Sequence, residues 1–265
     1  MNVTEFIIDT YSAGTQLVST AKRYRPSAAT KEGYILIFAH GTGFHKEHWE
    51  PIIERLYAHG GPVIEAWALD SQTHGAAATL NRDAIDELGY TYRQSGTPPF
   101  SALILIEPAI WPGSMIDNAD SPAYKLACVA IPRRRTTWES RDAVRKDLGS
   151  AHRGEPGISA FWIYMLWEHG FEEDKEGVSL RCRPEHETQP FVNQINAVYP
   201  VAELDKTRKK VPVHLVYGER NDLFTREKQE SLLRGRRFAS VTRIPGAGHL
   251  YIGRIGEPKF YVKTD

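Results

Sequence analysis

Short apolar runs, each closed by turn or polar residues, alternate along this chain with amphipathic stretches. Five runs are rich in β-branched residues: Tyr34 to Ala39 (YILIFA), Val63 to Leu69 (VIEAWAL), Ala102 to Ile106 (ALILI), Val213 to Tyr217 (VHLVY) and Ser240 to Ile244 (SVTRI). Strands buried on both faces of a parallel sheet read this way. Thr4 to Thr10 and Gln16 to Lys22 read as a leading antiparallel pair joined through Ser12, Ala13 and Gly14. From Glu47 to His59, Trp49, Ile52, Ile53, Leu56 and Tyr57 recur at three-to-four spacing, which predicts a helix with one apolar face. Strand, helix, strand alternation predicts an α/β fold built on a doubly wound, mostly parallel sheet.

From Trp111 to about Lys210 the pattern changes. No clear strand is legible there, and aromatic helical patches appear, notably the run Phe161 to Trp167. The expected organisation is a core of residues 1–110 and 211–265 interrupted by a helical lid at 111–210. Such an insertion falls over the carboxyl ends of the strands, where α/β sheets bind ligands. Trp138, Trp162 and Trp167 are its candidate pocket residues, and the plainer reading makes them the lid's own core.

Charge and composition then narrow the partners. Lys and Arg number 33, and so do Asp and Glu, so the net charge is zero and no long-range field draws in nucleic acid or an anionic membrane. The expected partner is an apolar small molecule; nothing in the sequence fixes an oligomeric state. No apolar run is long enough for a membrane span. The start, MNVTEFIIDTYS, lacks the basic and apolar regions of a secretory signal, and Lys263, Thr264 and Asp265 do not form a Ser-Lys-Leu peroxisomal address. With only Cys128 and Cys182, a reducing compartment fits, and the cytoplasm is the expected location.

Three constellations carry chemistry. His40-Gly41-Thr42-Gly43-Phe44 follows the first buried strand, where glycine lets backbone N–H groups turn toward a developing oxyanion; Thr42 and Gly43 are the candidate donors. Gly246-Ala247-Gly248-His249-Leu250 follows the last strand, where a glycine-flanked histidine can serve as general base. The orienting acid is open between Asp222, just past VHLVY, and Glu107, at the end of ALILI. Each acid also has a plain structural reading, a helix cap for Asp222 and a turn ligand for Glu107.

The order HGTGF, LILIEPAI, VYGERND, GAGH resembles the α/β-hydrolase superfamily, and is most similar to its fungal peroxisomal-type and toxin-pathway hydrolases. The resemblance spans about residues 16 to 255 and continues through Trp138-Glu139-Ser140-Arg141 and the stretch from Gly177 to Glu187. It implies hydrolysis of carboxylic esters or thioesters by Ser-acid-His chemistry, with no cofactor. The resemblance then implies His249 as the base and leaves the acid split between the residue matching Glu107, at the Ile-Glu-Pro strand ending, and the one matching Asp222.

The nucleophile is missing. The family sets a Gly-x-Ser-x-Gly elbow on a strand between those matching VIEAWAL and ALILI, and no such string occurs in this chain. Ser95-Gly96 is followed by Thr97-Pro98-Pro99, which blocks the helix an elbow must open, and Ser101 lies at the start of the next strand. Only residues 71 to 101 separate Asp70 from Ala102. A helix, a strand, the elbow and a second helix need roughly 50. The family-like text breaks between Gly89 and Phe100, through a skipped exon, a gene-model error or a true deletion. The strand YILIFA must then pair directly with ALILI, or leave backbone groups unpaired at about 1 to 3 kcal/mol for each buried one.

Two functions compete: an acyl hydrolase impaired by loss of its nucleophile, and a non-catalytic binding protein for an apolar acyl or polyketide-like molecule. Nicotinamide chemistry lacks its Gly-x-Gly-x-x-Gly. The group His40, His45 and His48 lacks a fixed carboxylate partner, so it reads as oxyanion-loop and helix-surface histidines and no metal site is expected.

Overall fold

The structure is a computed structural model and describes residues 1–12, 15–27, 32–88, 100–115, 125–151, 166–192 and 195–249. In chain order the first half holds β1 (Asn2–Ser12), β2 (Thr15–Arg25), β3 (Tyr34–Ala39), α1 (Glu50–Ala58), β4 (Val63–Leu69), α2 (Gly75–Leu80), α3 (Arg82–Leu88) and β5 (Leu103–Ile106). Then come β6 (Thr137–Trp138), α4 (Arg141–Ala151), β7 (Phe171–Asp174), β8 (Gly177–Leu180), α5 (Pro184–Val192), α6 (Ile195–Thr207), β9 (Val213–Gly218), α7 (Arg226–Leu233) and β10 (Ser240–Ile244). The five core strands match the apolar runs to within a residue at either end. The contacts divide the chain into two compact units, Met1–Arg93 with Arg135–His186 and Gln94–Arg134 with Glu187–Asp265. Residues 111–210 are shared between them.

The first unit carries a mixed sheet of order β1-β2-β4-β3, in which the leading hairpin is antiparallel and β3 runs parallel to β4. Chain leaving β3 passes through a 3-10 turn, Lys46–Trp49, before α1, whose first turn holds Pro51. The helix predicted from Glu47 therefore begins later, because proline is tolerated in a first turn and not further in. Ile53 is its fully buried residue. Asn81, between α2 and α3, ties this crossover to β2: Val18 N–H donates to its Oδ1 at 2.9 Å, and its Nδ2 donates to the Val18 carbonyl at 2.7 Å.

The same unit contains a small antiparallel sheet of order β6-β8-β7, in the stretch where no strand was legible. Its strands are two to four residues long and include the charged run FEED, so they lack the apolar signature of a core strand. Trp138, Val144, Phe171, Val178 and Leu180 form its core.

The second unit is built on a parallel sheet of order β10-β9-β5. Val213, Leu215 and Tyr217 of β9 pack against Val201 and Leu204 of α6 and Leu232 of α7. Thr225 caps α7, its side chain accepting the Lys228 N–H at 3.3 Å. The single sheet expected from the sequence is thus two sheets by pairing, one ending on β3 and the other on β5. β3 is an end strand of the sheet in the first unit, and β5 an end strand of the sheet in the second. The large penalty foreseen for unpaired groups applies to backbone cut off from water, whereas Ile35, Ile37 and Ile104 on these edges are exposed.

Candidate active site

In the second unit, β5 ends at Ile106 and the next residue, Glu107, has φ 48°, the one positive value at a non-glycine residue among those described. A bulky side chain in the left-handed region is strained and persists where its surroundings fix it. Here the Glu107 N–H donates to the Val216 carbonyl at 2.8 Å, and its Oε1 accepts the Gly218 N–H. Its Oε2 lies 3.0 Å from Nδ1 of His249. The carboxylate is buried and the imidazole partly open, with a side chain 22 % exposed. A carboxylate on Nδ1 fixes the proton there and leaves Nε2 as the basic nitrogen. Nε2 has no hydrogen-bond partner among the described residues.

Asp222 does a different job. Its Oδ1 accepts the backbone N–H of His249 at 2.8 Å, and Glu219 Oε2 accepts that of Gly246 at 2.7 Å. The glycine-flanked loop is therefore held by its main chain. Gly248 is required for this approach, since a Cβ there would come within 1.9 Å of the Asp222 carboxylate. The Phe224 ring meets the imidazole edge-on at 5.0 Å between centroids, and Trp111 lies behind Phe224 at 5.1 Å. Burial, followed by the Glu107 charge, pushes the nearby Tyr217 hydroxyl up to about 12.

In the first unit the segment after β3 turns sharply. Phe44 N–H donates to the Gly41 carbonyl at 3.1 Å, and Gly43 takes φ 80°, the value a type II turn demands at its third residue. His40 donates from Nδ1 to the Gly41 carbonyl at 2.8 Å and accepts the Ser71 N–H at Nε2 at 3.0 Å. The Gly43 N–H donates to Nε2 of His74 at 3.1 Å, while the Thr42 N–H has no partner among the described residues.

Behind this turn lies a buried polar cluster that the sequence reading missed. Asp70, at the end of β4, accepts from the Lys46 N–H at 2.7 Å, the Lys46 ammonium at 2.6 Å, the Thr20 hydroxyl at 2.7 Å and the Ala76 N–H at 3.1 Å. Glu47 faces Lys46 at 3.0 Å, Lys22 at 3.2 Å and His45 Nδ1 at 2.9 Å. Burial alone would push the Glu47 carboxyl up, but the His45 hydrogen bond and the lysine charges hold it well below the usual carboxylate range. A carboxylate partner for His45 therefore exists, contrary to the sequence reading. His45 and His48 are 2 % and 5 % exposed and not surface residues: His45 precedes the 3-10 turn, and all four residues of the turn, His48 among them, are buried. Burial and then His45 hold His48 down to about 2. No three His, Cys, Asp or Glu side chains converge to hold a metal ion among the described residues. The available signal was charged residues following the HGTG turn and an Asp closing a buried strand, which read equally as solvated positions.

Of the three tryptophans, Trp138 is buried in the β6-β8-β7 core and donates from Nε1 to Asp147 at 2.8 Å. Trp167 packs against the same core, under the guanidinium groups of Arg141 and Arg145. Trp162 lies outside the described residues, as do Ser95 and the break before Phe100. Ser101 is exposed ahead of β5.

A glycine turn after one parallel strand and an acid–histidine pair after others are the features that the α/β-hydrolase resemblance leads one to expect. The sequence matches the alpha/beta hydrolase family over residues 36–262, and the chain belongs to that family. No curated protein matches it. Among solved structures it is similar to the peroxisomal alpha-beta-hydrolase Lpx1 of Saccharomyces cerevisiae, at 18 % identity and TM-score 0.66 over 96 % of this chain and 86 % of that one. It is also similar to the thioesterase domain from the curacin biosynthetic pathway, at 16 % identity and TM-score 0.61 over 97 % of both. E-2-(acetamidomethylene)succinate hydrolase follows at 17 % identity and TM-score 0.60, over 96 % of this chain and 94 % of that one. At these identities the likeness establishes the fold. No helix among the described residues is long and apolar enough to cross a membrane.

Proposed function

We propose that this chain carries the acid–base machinery of a carboxylic ester or thioester hydrolase, and that acyl transfer is impaired because the sequence supplies no elbow serine. The observation that carries the reading is the contact between Glu107 Oε2 and His249 Nδ1 at 3.0 Å. In this assignment His249 is the general base through Nε2, Glu107 fixes its tautomer and Asp222 holds its loop. The Thr42 and Gly43 amides of the glycine turn are taken as the oxyanion donors. Residues 111–210 act as the lid, the substrate is an apolar acyl small molecule and the chain works in the cytoplasm. Without an attacking hydroxyl, such a site retains only a small part of its rate enhancement.

The test treats folded protein with a fluorophosphonate probe and assays p-nitrophenyl and thioester substrates of rising chain length. The expected result is no covalent labelling and a slow background rate that His249→Ala lowers further. Stoichiometric labelling would reveal a nucleophile and defeat the impaired-enzyme reading.

A second reading, a non-catalytic binder of an apolar acyl or polyketide-like molecule, is favoured by the absence of any Gly-x-Ser-x-Gly string. It is supported if acyl ligands change tryptophan fluorescence saturably while no turnover occurs, and it fails if fluorescence stays constant.

A further inference from the structure

Gly43 and His74 make a contact that the hydrolase assignment does not use. The Gly43 N–H donates to His74 Nε2 at 3.1 Å, so that nitrogen carries no proton. The proton of this neutral imidazole sits on Nδ1, which lies 3.0 Å from Ser71 Oγ and 2.9 Å from Thr73 Oγ1. Nδ1 is then a donor to these hydroxyls and cannot take a proton from them, so Ser71 and Thr73 are not substitutes for the missing serine.

The ring itself is held firmly. His74 is buried, it precedes α2, and the next residue is Gly75 at φ 54°, where a Cβ would sit 2.4 Å from the Asp70 carboxylate. Asp70 in turn accepts from Ala76 and Lys46, which fixes both the start of α2 and the far side of the glycine turn. The ring of His40, bonded to Gly41 and Ser71, lies 5.1 Å from that of His74. Through Asp70 and His40 the surroundings of His74 are thus tied to Lys46 and Gly41, on either side of Thr42 and Gly43.

We propose that His74 is a positioning residue that occupies the Gly43 amide, so that in the resting protein Thr42 alone of the two donors is open to a ligand oxygen. The inference rests on the reading of Thr42 and Gly43 as oxyanion donors, and it adds that the pair is half closed by the protein itself. An anionic acyl oxygen gains the second donor only by drawing Gly43 off His74.

The test uses the full chain and amide-resolved NMR. A scalar coupling between the Gly43 nitrogen and His74 Nε2 is expected, with Gly43 exchange about five- to tenfold slower than that of Thr42. His74→Ala removes the protection, and His74→Gln, whose side-chain oxygen can accept the same N–H, restores it. Hexanoate, the carboxylate a short acyl ester would release, is then titrated in. The Thr42 amide shifts alone in the parent chain, and both amides shift in His74→Ala. Equal exchange at Gly43 and Thr42 in the parent chain, or unchanged Gly43 protection in His74→Ala, overturns the proposal. If His74→Ala does not fold, the coupling in the parent chain and the slow Gly43 exchange in His74→Gln decide the matter: absence of the coupling overturns the proposal. A protected Gly43 with no hexanoate shift in any variant supports the contact and defeats the oxyanion reading instead.

Discussion

The carboxylate of Glu107 lies against the ring of His249, at 3.0 Å from Nδ1, whereas Asp222 meets the same residue only at its backbone N–H. Two acids that the sequence could not separate thus have different work. Glu107→Gln should abolish the downfield Nδ1 proton signal of His249, and Asp222→Asn should leave it in place while loosening the loop. In a chain with the elbow restored, the Glu107 change should lower turnover by about 10³- to 10⁴-fold. A surviving Nδ1 signal in Glu107→Gln would remove Glu107 from its role.

The buried histidines of the first unit make it acid-sensitive. His40, His48 and His74 are each held below their ordinary value by burial first and by neighbouring imidazoles. A group whose folded pKa is depressed stays neutral in the fold but takes up a proton once unfolded. Stability is therefore fully present above the unfolded value near 6.5 and falls as pH drops below it, by up to about 1.4 kcal/mol per pH unit for each such histidine. Urea midpoints at pH 7, 6 and 5 should fall in that order. A flat profile would mean these rings are protonated in the fold.

Glu47 adds a second loss of stability at lower pH. Its depressed carboxyl contributes stability that is complete above the ordinary carboxylate range and lost as pH falls through and below it. Glu47→Gln should destabilise the chain near pH 7 and flatten the loss below about pH 4.5, where the unfolded carboxyl protonates. Parallel urea curves for the two proteins over the whole acid range would refute this.

Gly75 and Gly60 separate steric from conformational constraint. Both have positive φ, but a Cβ at Gly75 meets the buried Asp70 carboxylate, while nothing lies within 4 Å at Gly60. Gly60→Ala should cost about 1 to 2 kcal/mol from backbone conformation alone. Gly75→Ala should add the overpacking penalty, about 1 to 3 kcal/mol. Equal urea midpoints for the two variants would show that Asp70 moves aside.

What the sequence disclosed follows from where the physics is local. The five core strands were legible because their runs are short and rich in β-branched residues, even though β3 and β10 carry exposed positions, and the glycine turns because few other residues adopt their dihedrals. β6, β7 and β8 were not, since they are two to four residues long, β6 pairs with a strand distant in sequence, and β7 carries the charged Glu172, Glu173 and Asp174. The cluster of Lys46, Glu47 and Asp70 was invisible for a related reason: a charged residue reads as solvated until a partner from another strand is known. His249 was found from its loop, but the choice of Glu107 needed the φ of 48° that turns its carboxylate toward the ring.

The open edges lead to a prediction that changes sign with the missing segment. Ile35 and Ile37 of β3 are 57 % and 62 % exposed, and Ile104 of β5 is 60 % exposed. Both strands end their sheets, and the sequence lacks the strand expected between them. An exposed apolar edge with unpaired N–H and C=O groups templates association with other chains, and a lysine there blocks it. Ile37→Lys and Ile104→Lys should therefore lower light scattering at high protein concentration while leaving the urea midpoint within about 0.5 kcal/mol of the parent, as for a surface change. In a chain carrying the restored elbow strand, Ile37 is buried by its new neighbour. The same Ile37→Lys should then destabilise by about 2 kcal/mol or more, the loss of a buried aliphatic side chain. If Ile37→Lys is as costly in the present chain as in the restored one, β3 is covered in solution and the edge is not open.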